Sequence, residues 1–171
     1  YCLIILFIQS NSAVSVEVAQ VASYMGSIQI GLSSSVDLSN KEEYPSYVRP
    51  VGTVRMSAKS LVGVMLHFGW KRVGVIFTND PFGSGSATLF IQFATANGIE
   101  IVSYEKISFN TNETNPDISE NLLKMKKSGV NIILACMVGN DIRHVLENAY
   151  NYDMMGYPYV WIGTIWVNEG L

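Results

Sequence analysis

The chain has 171 residues, 49% of them hydrophobic and only 15% charged, with a formal net charge of −3 at pH 7. That length suffices for one domain with a sizeable core, and the composition excludes a disordered chain. No Lys/Arg stripe runs along it, which argues against a nucleic-acid partner; the short clusters Lys71-Arg72 and Lys124, Lys126, Lys127 read as solvated helix ends and faces.

The apolar run at 1–8, YCLIILFI, is far shorter than the roughly 20 residues a spanning helix needs. It lacks the basic n-region and small-residue cleavage pattern of a signal peptide, so it reads as a buried parallel strand over 2–8. Val14, Val18, Val21, Ala22 and Met25 recur at helical spacing, with Ser12 as the expected N-cap. A second strand is expected at 28–32 and a short extended piece at 47–51. Leu61, Val64, Met65 and Phe68 mark a helix that stops near Gly69. A β-branched strand follows at 73–77. Leu89, Phe90, Phe93 and Ala94 then mark a helix ending at Asn97-Gly98. A strand at 99–104 leads to a helix with Ile118, Leu122 and Met125 on one face, stopped by Ser128-Gly129. A strand at 130–136 precedes the best amphipathic stripe in the chain, Ile142, Val145, Leu146, Ala149 and Tyr150. A last strand is expected at 159–163.

Alternating strands and helices imply βαβ units and an α/β fold built on parallel sheets. The strands are near-continuous apolar runs, as expected where helices cover both sheet faces. Cys2 and Cys136 belong to no Cys-x-x-Cys pair, and His67 and His144 show no metal-ligand spacing. Two buried free thiols and no zinc site are therefore expected. Catalytic signatures are equally scarce: there is no Gly-x-Ser-x-Gly elbow and no phosphate-binding Gly-x-x-x-x-Gly-Lys. Gly83-Ser84-Gly85-Ser86 opens a helix after a strand but lacks the third glycine of a dinucleotide loop. No cofactor is expected.

In parallel α/β sheets, ligands bind outside the carboxyl ends of the strands. The residues that follow the expected strands are Ser10, Asn11 and Ser12; Ser33, Ser34 and Ser35; Thr78, Asn79, Asp80, Pro81 and Phe82; Met137 to Asn140; and Thr164, Ile165 and Trp166. Their hydroxyl and amide side chains suit a polar ligand, and the amides opening a helix after Ser10–Ser12 suit an anionic group. The same residue types also serve ordinary helix caps and turns; Asp80, set between Asn79 and Pro81, reads as a turn residue.

Residues 30–49, IGLSSSVDLSNKEEYPSYVR, followed by HFGWKRVGVIFTND at 67–80, carry a resemblance. A serine triplet after a short apolar run, then Leu-Ser-Asn, Tyr-Pro and an arginine, is similar to the ligand-binding region of class C G-protein-coupled receptors and natriuretic-peptide-type receptors. The match is nearest in feel to the type B GABA receptor. It implies a bilobal, type I periplasmic-binding-protein-like fold, here truncated, with residues 1–69 as part of lobe 1 and 70–171 as most of lobe 2. It also implies an extracellular module that senses an amino-acid-like or other small polar ligand by lobe closure. Such a module is not an enzyme. Its parent is membrane-anchored, its locale is the extracellular face of the plasma membrane, and a homo- or heterodimer through lobe 1 stays open. Nucleic acid is not among the expected partners.

The resemblance places a carboxylate-binding turn at Ser10, Asn11 and Ser12, with Gln9 where the family has glycine. A second lies at Ser33, Ser34 and Ser35, and Phe82 and Trp166 fall at ligand-facing aromatic positions of lobe 2. Two acidic ligand positions of glutamate-type members are missing: Val54 stands at one, and Gly163-Thr164-Ile165-Trp166 replaces the segment that carries the other. Asn112-Glu113-Thr114 is an N-glycosylation sequon, which makes Asn112 a glycosylation candidate. A soluble solute-binding protein of a transport system, periplasmic in that case, is the alternative reading. A nucleotide-using α/β enzyme would need a phosphate loop that the sequence lacks.

Overall fold

The computed structural model describes residues 11–109 and 116–164. The expected strand at 2–8 and the candidate positions Ser10, Asn112 and Trp166 lie outside the described residues. The elements run α1 (Ser12–Tyr24), β1 (Gln29–Ile30), a 3-10 turn (Asp37–Ser39), β2 (Tyr47–Val48), α2 (Val54–His67), β3 (Arg72–Thr78), α3 (Pro81–Ala96), β4 (Glu100–Ile107), α4 (Ser119–Lys127), β5 (Ile132–Cys136), α5 (Gly139–Asn151) and β6 (Val160–Gly163). They divide into two compact units on either side of the Ser57/Ala58 bond, within α2.

In the first unit, β1 and β2 pair in parallel, Gln29 opposite Tyr47 and Ile30 opposite Val48. Ala19 of α1, Leu38, Tyr44 and Tyr47 form a small buried core, with Val16 packed against it. The N-cap of α1 is Asn11 and not the expected Ser12. Asn11 holds extended backbone angles and its side chain accepts a hydrogen bond from Val14 N at 3.2 Å. Ser12 is already helical, which turns its hydroxyl to another task described below.

The second unit is a four-stranded, all-parallel sheet of order β4-β3-β5-β6. β3 (RVGVIFT) and β5 (IILAC) lie at its centre and are buried along nearly their whole length. The edge strands differ from the expectation of continuous burial: β4 is mostly half-buried and β6 has no fully buried residue. Among the described residues each has a strand neighbour on one side only, which fits its partial exposure. Ile76, Ile133 and Ala135 share a core with Leu122 and Met125 of α4 and Ile142, Val145 and Ala149 of α5. α3 packs across β3, β4 and β5, and its Phe90 and Ala94 are fully buried. The expected helix stops hold: Gly98 (φ 72°) and Gly129 (φ 68°) take the left-handed conformation two residues past the ends of α3 and α4.

α3 begins earlier than its apolar stripe suggests because Asp80 and Pro81 start it. Asp80 is its N-cap and not a simple turn residue: its carboxylate accepts from Phe82 N at 2.8 Å and Gly83 N at 3.0 Å, and also from the Thr78 hydroxyl. Pro81 occupies the first turn, where its missing N–H leaves no bond unmade.

Candidate functional site

In the first unit the residues after β1 form a loop fixed from several sides. The Arg49 Nη1 donates to the carbonyls of Ser33 (3.1 Å) and Ser35 (2.6 Å), and its Nη2 donates to the Ser39 hydroxyl. The Tyr47 hydroxyl donates to the same Ser33 carbonyl at 3.3 Å. Val54 N donates to the Ser34 carbonyl at 3.1 Å. All three serine carbonyls are thus held. The hydroxyls separate into two kinds. Ser33 and Ser35 are buried and already bonded: Ser33 to the Ser12 hydroxyl at 3.1 Å, Ser35 to the Asp37 carboxylate at 3.2 Å. Ser34 is half-buried, and its hydroxyl has no hydrogen-bond partner among the described residues. The close approach of Tyr47 to the loop requires Gly31, where a Cβ would sit 2.7 Å from the Tyr47 hydroxyl.

In the second unit the strand order reverses at β3 and β5. The chain leaves β3 through α3 to β4 on one side, and leaves β5 through α5 to β6 on the other. That is where an open parallel sheet forms a crevice at its carboxyl ends. Thr78 ends β3, and Asn79 and Asp80 follow it; Met137 and Val138 follow β5 and lead into α5 at Gly139. Gly83 lets the start of α3 press onto this point. A Cβ there would run into the Thr78 carbonyl and hydroxyl and come within 2.9 Å of the Cys136 carbonyl. Two carboxylates mark the rim. Asp80 is engaged in capping, whereas Asp141 lies in the first turn of α5, close enough to Asp80 for the charges to interact. Burial, and then the Asp80 charge, raise the Asp141 carboxyl above its ordinary value, with His144 opposing.

The consequence for stability has a definite sign. A carboxyl that holds its proton more tightly in the folded chain stabilises the fold at low pH, and that contribution is lost as pH rises through the raised folded value. Asp141→Asn is therefore expected to raise the urea midpoint relative to the native chain at pH 7 and to leave it unchanged near pH 3. A variant less stable than the native chain at pH 7 would contradict this.

Cys136 is a free thiol, fully buried as expected, and burial pushes it up to about 12. Its peptide should stay unalkylated by iodoacetamide at pH 8 in the folded chain and react once urea unfolds it, read by peptide mass spectrometry. Prompt alkylation of the folded chain would show that the β5 end opens. Cys2 lies outside the described residues. Among the described residues no group of three or more His, Cys, Asp or Glu could hold a metal ion, and no helix is long and apolar enough to cross a membrane.

Of the positions expected from sequence, Asn11 is exposed and caps α1, and Ser12 binds Ser33. Phe82 is buried, 6% exposed, in the first turn of α3. Arg49, Tyr47 and Asp141 carry much of the local geometry and charge but stood in the sequence without an assigned role. Arg49 alone had a signal, its fixed offset after the Tyr-Pro pair.

Residues 4–171 match the receptor family ligand binding region. The chain belongs to that family. Its α/β architecture, with parallel sheets flanked by helices, is the periplasmic-binding-protein-like fold of these ligand-binding regions. The chain is 28% identical over 137 residues to metabotropic glutamate receptor-like protein E of Dictyostelium discoideum, which covers 77% of this chain and 17% of that protein. It is 35% identical over 72 residues, 42% of this chain and 8% of the relative, to taste receptor type 1 member 3 of Canis lupus familiaris. It is 26% identical over 136 residues, 77% of this chain and 14% of the relative, to the probable metabotropic glutamate receptor mgl-1 of Caenorhabditis elegans. These names accord with the class C receptor resemblance carried by the serine triplet and the Tyr-Pro-to-arginine segment. The chain spans under a fifth of the length of each of these relatives. Among the described residues of this receptor ligand-binding region, polar groups converge at the serine loop of the first unit and at the β3/β5 strand ends of the second.

Proposed function

We propose that this receptor ligand-binding region binds an amino-acid-like small polar ligand and signals by lobe closure, with residues 1–69 belonging to lobe 1 and 70–171 to lobe 2. Its role is recognition and not catalysis. The parent protein is anchored in the plasma membrane and presents the region on its extracellular face. Ligand would favour the closed form by binding it more tightly than the open one, and that differential affinity is what a receptor can transmit.

The observation that carries this reading is Ser34. A hydroxyl that the surrounding residues leave unbonded, and that solvent can reach, is open to a ligand. The Ser34 hydroxyl has no partner among the described residues, although its own carbonyl and those of its two neighbours are all held. A fixed donor of this kind suits a ligand carboxylate. Two carboxylates, Asp80 and Asp141, stand at the strand ends of the second unit. The missing acidic positions noted in the sequence therefore do not leave the chain without carboxylates at its strand ends.

The test is calorimetric titration of the chain with a panel of L-amino acids, each paired with its carboxamide and its decarboxylated amine. At least one amino acid is expected to bind in preference to both of its partners. Ser34→Ala should weaken that binding about tenfold, the loss of one hydrogen bond to a charged group, without lowering the melting temperature. No binding by any member of the panel would sink the amino-acid reading. Unchanged affinity in Ser34→Ala would remove the serine loop from the site.

A further inference from the structure

Arg49 is half-buried, yet no carboxylate lies within ion-pair distance of it among the described residues. Its bonds go to neutral groups: the Ser33 and Ser35 carbonyls, on either side of Ser34, and the Ser39 hydroxyl. A second cation is close by. The Lys41 ammonium donates to the Tyr47 carbonyl, stands 5.8 Å from the centre of the Tyr47 ring, and feels the Arg49 charge. Two neighbouring cations with no bound carboxylate between them are electrostatically unfavourable in an unliganded chain. If Arg49 served only to hold the loop, its position would call for hydrogen-bond donors and not for a net charge.

We propose that Arg49 is the positioning residue of the serine loop: its guanidinium fixes the Ser33 and Ser35 carbonyls so that Ser34 is presented, and its unneutralised charge makes Ser34 a seat for a carboxylate. This rests on the reading that the loop receives ligand. The planar fork matters because one nitrogen must reach two carbonyls while the other reaches Ser39; lysine carries the charge without that geometry. Tyr47 supports the same arrangement from the other side of the Ser33 carbonyl.

Two measurements that need no ligand test the two halves of the proposal. Hydrogen exchange followed by mass spectrometry reads the positioning half. In both Arg49→Lys and Arg49→Gln, amides of 33–35 are expected to exchange at least tenfold faster, while those of α1 and the second unit keep their native rates. Unchanged exchange at 33–35, or equal acceleration throughout α1, would mean that Arg49 has no specific hold on the loop. The charge half is read from a Ser34→Cys reporter in a Cys2→Ser background, with thiol reactivity followed against pH. With Arg49 present, the reporter thiol should half-titrate about one pH unit lower than with Arg49→Gln, and Arg49→Lys should recover much of the difference. Identical titration with and without Arg49 would overturn the proposed seat for a carboxylate. Failure of the amino-acid panel would leave both of these results standing, so the two readings fail separately.

Discussion

Gly83→Ala is expected to destabilise the chain by about 2–3 kcal/mol, the upper part of the range for forcing added volume into a packed site, and to lower the melting temperature by roughly 5–10 °C. The reason is the place where α3 meets the sheet. A methyl group at position 83 would collide with the Thr78 carbonyl and hydroxyl and approach the Cys136 carbonyl to 2.9 Å. Most of these obstacles are backbone of the two central strands, so no rotamer change relieves them. The helix start would have to lift, and with it the Asp80 cap, whose bonds to Phe82 N and Gly83 N depend on the same geometry. Gly63 supplies the internal control. It lies within α2, is exposed, and has nothing within 4 Å of its would-be Cβ. Gly63→Ala should therefore stabilise by about 0.5–1 kcal/mol through reduced backbone freedom in the unfolded chain. Circular-dichroism melts of the two variants should move in opposite directions. A Gly83→Ala chain melting within a degree of the native one would show that α3 does not press on β3 and β5 as described.

The second large effect is expected at Gly31→Ala. The new methyl would stand 2.7 Å from the Tyr47 hydroxyl and 2.9 Å from its Cε2. Tyr47 is only 1% exposed and is paired in β2, so its ring has little room to move. We expect a loss of about 1–3 kcal/mol, together with loss of the hydroxyl's bond to the Ser33 carbonyl. Tyr47→Phe removes the hydroxyl that makes the closest contact. It should cost about 1 kcal/mol alone and recover part of the Gly31→Ala loss when the two are combined. A double-mutant cycle by urea denaturation reads this directly. Strict additivity would mean that the methyl is accommodated without touching the ring.

Much of the second unit was legible in the sequence because its signals are local. The runs at 73–77 and 130–136 are β-branched and apolar enough to be strands in any context, and both are strands in the fold. Asn97-Gly98 and Ser128-Gly129 end helices for a reason confined to their own backbone angles. The serine triplet and the Tyr-Pro-to-arginine spacing were enough to identify the family. Errors arose where a local rule had two solutions. Ser12 and Asn11 are both good caps, and only the backbone path showed that Asn11 faces the open amides. Asp80 before Pro81 fits a turn as well as a helix start.

The sequence by itself determined the fold class, the family and the kind of residue found at the strand ends, because periodicity, turn chemistry and motif spacing are properties of neighbours along the chain. Tertiary structure decided which of those residues are free to act. Three consecutive serines are chemically alike. Folding turns Ser33 toward Ser12 and Ser35 toward Asp37, and among the described residues it leaves the Ser34 hydroxyl without a partner. It brings Arg49 onto the carbonyls of residues 14 and 16 positions earlier, and it brings the charges of Asp141 and Asp80, from two different strand ends, within range of one another. Those relations depend on which segments the sheet places side by side, and no spacing along the chain encodes them.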